Sequence, residues 1–150
     1  MSWWSRLFGG PSKPGARSGR VDYLNEAIAL ERTGDFDAAL TSYRLALREH
    51  PNDPRILQNI AIAYSRTGRL EDAIRSYRRA LEVAPTLSGA HYGLAFLLLK
   101  RGDRAGAMRH LEAFLGQAPD DAEAKRWVQH AEQTLGALRS GGALPASPDA

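Results

Sequence analysis

A chain of 150 residues without cysteine has material for about one ordinary domain, and neither a disulfide framework nor a thiolate metal site is open to it. The formal charge of +3 is uneven: Arg6, Lys13, Arg17 and Arg20 give the first twenty residues +4 with no acid, while the rest carries 16 basic and 17 acidic groups. A basic tail on a nearly neutral body argues against a nucleic-acid surface on the folded part. No apolar run approaches the roughly 18 to 20 residues that span a bilayer, the longest being Leu94 to Leu99, so the expected setting is the cytoplasm, free or at a membrane surface.

Residues 1–19 open with MSWWSRLFG, in which Trp3 and Leu7, and Trp4 and Phe8, stand at i, i+4. Tryptophans favour membrane interfaces, and the local positive charge favours anionic lipid. Three readings stay open for Trp3, Trp4, Leu7 and Phe8: weak membrane contact, a free tail, or docking on the protein's own groove. The following Gly9 to Gly19 stretch, rich in Gly, Pro and Ser, reads as a disordered linker. It carries no GxxxxGK[ST] phosphate loop.

From residue 20 the sequence repeats with a period of 34. Gly34, Gly68 and Gly102 keep that step, as do Ala39, Ala73 and Ala107, and Pro51, Pro85 and Pro119. Tyr43, Tyr77 and Leu111 form a fourth column, and Leu47, Leu81 and Leu115 a fifth. Each column has a physical reason. Glycine supplies the left-handed residue that closes a helix. Alanine lets two helices approach closely. Proline keeps the residue before it out of helical geometry and stops the second helix. Asp53 before Pro54 offers an N-cap and a first-turn proline. Each unit therefore reads helix, turn, helix, stop, over residues 20–53, 54–87 and 88–121.

The stretches GDFDAALTSYRLALREHP, GRLEDAIRSYRRALEVAP and GDRAGAMRHLEAFLGQAP resemble second helices of tetratricopeptide repeats, and the likeness runs from Arg20 to Asp121. It implies an all-α, right-handed superhelical array of three helix-turn-helix repeats. Glu26 departs from the family's usual leucine, Phe114 from its alanine, and Gly106 is read as lying in mid-helix. The resemblance also implies a concave groove lined by the first helix of each repeat. Its matching positions are Val21, Leu24, Ile28, Glu31 and Arg32, then Arg55, Gln58, Asn59, Ile62, Ser65 and Arg66, then Tyr92, Gly93, Phe96, Leu99 and Lys100. Ile28, Ile62 and Phe96 would form an apolar row, with Arg32, Arg66 and Lys100 a basic row beside it. Such a surface suits an amphipathic helix or an extended peptide with apolar anchors and acidic groups. Ile62 and Phe96 read equally as core residues, and the basic row equally as a solvated face. A carboxylate clamp of the heat-shock co-chaperone kind is not expected, because its positions hold Leu24, Ile28, Asn59, Gly89 and Gly93, of which only Asn59 agrees.

After Pro119, Asp120 and Asp121 are placed to cap a final helix over residues 122–138, with Ala124, Val128, Ala131, Leu135 and Leu138 on one apolar stripe. A one-sided last helix seals the open end of a repeat stack. Residues 139–150 read as a disordered tail. No catalytic constellation, cofactor motif or metal set is evident; His50, His91, His110 and His130 read as solvated or helix-end side chains. The expected role is a protein-interaction adaptor or scaffold and not an enzyme, holding a protein or peptide partner. A membrane-peripheral adaptor and an enzyme accessory subunit are the alternatives, and self-association stays open.

Overall fold

The computed structural model describes residues 21–148. The N-terminal segment with Trp3, Trp4, Leu7 and Phe8 lies outside the described residues. Among those described there are seven helices and no strand: α1 Tyr23–Arg32, α2 Phe36–Glu49, α3 Pro54–Arg66, α4 Leu70–Val83, α5 Ser88–Arg101, α6 Arg104–Gln117 and α7 Ala124–Ser140. Each helix packs on the next, and α3 also touches α5, which makes three hairpins and a closing helix in an all-α superhelical array. No helix among the described residues is long and apolar enough to cross a membrane.

One local device makes every hairpin. Gly34, Gly68 and Gly102 take φ of 83, 75 and 88°, and the residue after each glycine donates its N–H back across the helix end. Asp35 bonds Leu30 O at 3.0 Å, Arg69 bonds Tyr64 O at 2.9 Å, and Asp103 bonds Leu98 O at 2.9 Å. This is the closure a left-handed residue permits, and any side chain at these glycines is strained. Asp35 and Asp103 then cap the next helix through the N–H of Ala38 (3.1 Å) and Gly106 (2.9 Å), whereas Arg69 at the equivalent place offers no side-chain cap. Gly106 is thus in the first turn of α6, not in mid-helix, and the site favours it: a Cβ there would stand 2.4 Å from the Asp103 carboxylate. The second helices stop as the prolines require, with His50, Ala84 and Ala118 in non-helical geometry before Pro51, Pro85 and Pro119. Asp53 caps α3 at 2.9 Å from Arg55 N, and Asp121 receives Ala124 N at 2.8 Å.

Ala39, Ala73 and Ala107 are wholly buried, and so is a further column of the same period, Ala27, Ala61 and Ala95. The core falls into two clusters that divide at α3. Ile56, Ile60 and Ala63 belong with Ala27, Leu40, Tyr43 and Ala46 of the first hairpin. Ala61 and Ile62 belong with the larger cluster, which runs through α4, α5 and α6 to α7. Phe114, standing where a small residue was expected, is fully buried there and meets the ring of Tyr92 edge-on at 5.1 Å. Glu26 is exposed, since no described helix covers that face of α1.

The closing helix buries more than the expected stripe. Beside Ala124, Ala131, Leu135 and Leu138 it also buries Trp127, His130 and Thr134. It ends later than expected, so Arg139 and Ser140 form its last turn. Gly141, with φ 72°, repeats the hairpin closure, and Gly142 N donates to Ala137 O at 3.0 Å. The chain after it turns back along the array.

Candidate functional site

A cavity of about 760 Å³ lies at the C-terminal end of the array. Ser65 and Arg66 reach it from the end of α3; Tyr92, Gly93, Phe96, Leu99 and Lys100 from α5; Arg126, Trp127, His130 and Thr134 from α7. Its floor is aromatic and centred on Tyr92. That ring lies 4.7 Å from Phe96 and 5.5 Å from Trp127, the latter at 87°. Such tilted and edge-on pairs match the positive rim of one ring to the negative face of another. His130, only 7 % exposed, stacks on Phe96 at 5.0 Å, and its Nδ1 shares a 2.8 Å hydrogen bond with the Tyr92 hydroxyl. Gly93 is required for this packing, because the Tyr77 hydroxyl would stand 2.5 Å from a Cβ placed there.

The rim is basic. Arg66, Lys100 and Arg126 line the cavity with no acidic residue among its described neighbours, and Arg126 also lies 5.2 Å over the Trp127 ring. Residues outside the helices complete it, as Leu144, Pro145 and Ser147 of the returning C-terminal segment line the same space.

The expected groove positions divide into two sets. Tyr92, Phe96, Leu99, Lys100 and Arg66 come together around the cavity. Leu24 and Ile28 pack instead on the smaller core cluster, while Arg32 is exposed away from the cavity. Glu31 accepts a 2.6 Å bond from the Tyr43 hydroxyl; burial raises its pKa, partly offset by that bond and by the Arg66 charge, and burial with the Glu31 charge holds Tyr43 neutral. Arg55 is tied back to Asp53 at 3.3 Å. Ile62, the middle member of the expected apolar row, is 7 % exposed within the larger core cluster, as its alternative reading as a core residue has it, and Asn59 is buried as well. Gln58 is fully buried with no hydrogen-bond partner on its amide.

Trp127 and His130 were missed from the sequence. Trp127, His130 and Thr134 stand one residue before Val128, Ala131 and Leu135 of the expected stripe, so they widen it on one side and give α7 a broad buried face. The expectation of solvated or helix-end histidines holds for His50, exposed at the end of α2, and for His91 in the first turn of α5, and not for His110 and the buried His130. His91 and His110 meet between α5 and α6 with their Nδ1 atoms 3.0 Å apart, and His91 Nε2 lies 2.8 Å from Pro85 O. A carbonyl only accepts, so His91 Nε2 carries the proton, and in the neutral pair His110 Nδ1–H donates to His91 Nδ1. Burial, the His91 ring and the Arg109 and Arg78 charges lower the His110 pKa to about 4, against a weaker opposite pull from Asp103. Among the described residues no group of three His, Cys, Asp or Glu is arranged to hold a metal ion.

A comparison with curated protein sequences found no match. Solved structures share the architecture. The Yersinia enterocolitica type III secretion chaperone SycD, in complex with a peptide of the translocator YopD, superposes with a TM-score of 0.74 at 18 % identity, over 79 % of this chain and 91 % of that one. The Sgt2 TPR domain of Aspergillus fumigatus gives 0.67 at 25 % identity over 83 % and 84 %. The TPR2B domain of yeast Sti1, in its Hsp70 complex, gives 0.68 at 20 % over 80 % and 95 %. Two sequence models of the tetratricopeptide repeat match residues 24–88 and 66–129, and together with the three glycine-closed hairpins they place this chain in the tetratricopeptide repeat family.

Proposed function

We propose that this chain is a non-catalytic protein-interaction module that holds a segment of a partner protein in the cavity between α3, α5 and α7. The observation that carries this reading is the pairing of an aromatic floor around Tyr92 and Phe96 with a basic rim at Arg66 and Lys100, in a cavity of about 760 Å³. Recognition sites are typically concave, mostly apolar and edged by a few polar groups that fix orientation. The fold-level likeness to a chaperone crystallised with a translocator peptide supports a peptide ligand. Compared with the groove expected from the sequence, the proposed site lies toward the C-terminus, and of the apolar row Phe96 is the member that lines it.

Panning a random peptide library against the immobilised full-length protein tests the reading. Selected peptides should bind wild type and lose at least tenfold in affinity for Phe96→Asp, with circular dichroism confirming that the variant is folded. Peptides that bind both proteins equally well would place the ligand elsewhere.

A further inference from the structure

α3 is enclosed more completely than its described neighbours explain. Ile56 to Ala63 are all buried, and at about 100° per residue these side chains point to every side of the helix. α1, its counterpart one repeat earlier, buries Ala27 alone. Among the described helices α3 packs on α2 and α4 and touches α5. These neighbours account for its apolar sides, where Ile56 and Ile60 join one core cluster and Ala61 and Ile62 the other.

The amides of α3 are a different matter. Gln58 is wholly buried and Asn59 is 5 % exposed, although both stand at expected groove positions. The cavity takes Ser65 and Arg66 from α3 and neither amide, so the C-terminal residues on its wall are not what covers them. Both polar atoms of the Gln58 amide lack a hydrogen-bond partner, and so does the buried Oδ1 of Asn25, one repeat before Asn59. A buried amide without partners is costly, so a segment lying over this face gains by bringing hydrogen-bond donors with its apolar surface.

The sequence holds one segment of that character. Outside the described residues, positions 149–150 are an aspartate and an alanine, whereas the chain before Val21 carries Trp3, Trp4, Leu7 and Phe8. Tryptophan joins a large apolar ring to an indole N–H that only donates. Residues 9–20 form a Gly, Pro and Ser-rich linker that reaches about 40 Å when extended, and the face of α3 stands one helix away from the start of α1. The linker also holds the segment at an effective concentration on the order of millimolar, so weak contacts suffice.

We propose that residues 1–10 of the same chain dock on the Gln58 and Asn59 face of α3, where the Trp3, Trp4, Leu7 and Phe8 side chains close the middle of the array to outside ligands. The docking stands independently of the cavity reading, which concerns the far end of α3.

The chain has no cysteine, so Gln58→Cys places a single reporting thiol on this face of the full-length protein. Its maleimide labelling is compared between the native N-terminus and a Trp3→Ser, Trp4→Ser, Leu7→Ser, Phe8→Ser variant, with Asn59→Cys in reserve if Gln58→Cys does not fold. Labelling should be at least tenfold faster in the serine variant, and a saturating synthetic peptide of residues 1–10 should slow it back to the native rate. Equal rates would overturn the proposal, since the helices alone would then close the face. Ala73→Cys, in the interface of α3 and α4, should label slowly with either N-terminus; equal acceleration there would mean that the serine variant loosens the whole array, and would refute the docking. Protection should survive hundredfold dilution, and its loss would assign the occupant to a second copy and sink the arrangement within one chain. The thiol readout needs no partner peptide, so this test and the library panning fail separately.

Discussion

The first and third hairpins share their turns and end on faces of opposite character. Both close on a left-handed glycine, both cap the second helix with aspartate, and both stop it before a proline. At the expected groove positions the first offers Leu24, Ile28 and Glu31, which pack on a small cluster or bond to Tyr43. The third offers Tyr92, Phe96 and Leu99 at the matching positions, and these open onto the cavity. The residues that make the repeat and the residues that give it a surface are therefore separate sets. One scaffold can carry a face that packs on its own hairpin at one end and a recessed aromatic one at the other.

The largest test of this contrast is Phe114→Ala. Phe114 supports Tyr92 from beneath, so its removal should cost about 3 to 5 kcal/mol in a denaturant titration and reduce peptide binding with it. A loss below about 1 kcal/mol would mean that α6 and α7 collapse onto the gap and that the floor does not depend on this ring. Ala73→Leu probes the scaffold itself. Overpacking the alanine column at its central member should cost roughly 1 to 3 kcal/mol, and an unchanged melting curve would break the argument that close helix approach underlies the period.

Tyr92→Phe keeps the ring and removes the hydroxyl bonded to buried His130. Loss of that buried hydrogen bond should cost roughly 1 kcal/mol in a denaturant titration. Gln58→Met, at the boundary between the two clusters, should work in the other direction. It replaces a buried amide without partners by an apolar chain of similar shape and should stabilise by about 1 kcal/mol. Destabilisation would show that the amide is satisfied in solution.

The smallest effect concerns acid. The folded pKa of His110 lies near 4, below its ordinary value, so between those two values the unfolded chain binds more protons than the folded one. The stability contributed by neutral His110 is present above the ordinary histidine pKa and is lost as pH falls toward 4. His110→Gln should flatten that part of the stability profile, and a profile with the wild-type slope would assign the acid sensitivity to other groups.

The sequence by itself determined the repeat. Gly34, Gly68 and Gly102, the alanine columns and the prolines act through backbone conformation and contact within one hairpin, so their spacing reads directly as structure. The caps at Asp53 and Asp121 are equally local. The tertiary structure decided which faces remain open. α5 is apolar on nearly every side, with Ala90, Tyr92, Leu94, Ala95, Leu97 and Leu98 all buried, so its sequence cannot show which side a neighbour leaves uncovered. Ile62 and Gln58 stand in register with groove residues yet are enclosed by packing, while Trp127 and His130 become the floor only because α7 lies across α5. The segment after α7 belongs to both levels: Gly141 announces a reversal, but only the packing of the helices makes Leu144 and Pro145 part of the cavity lining.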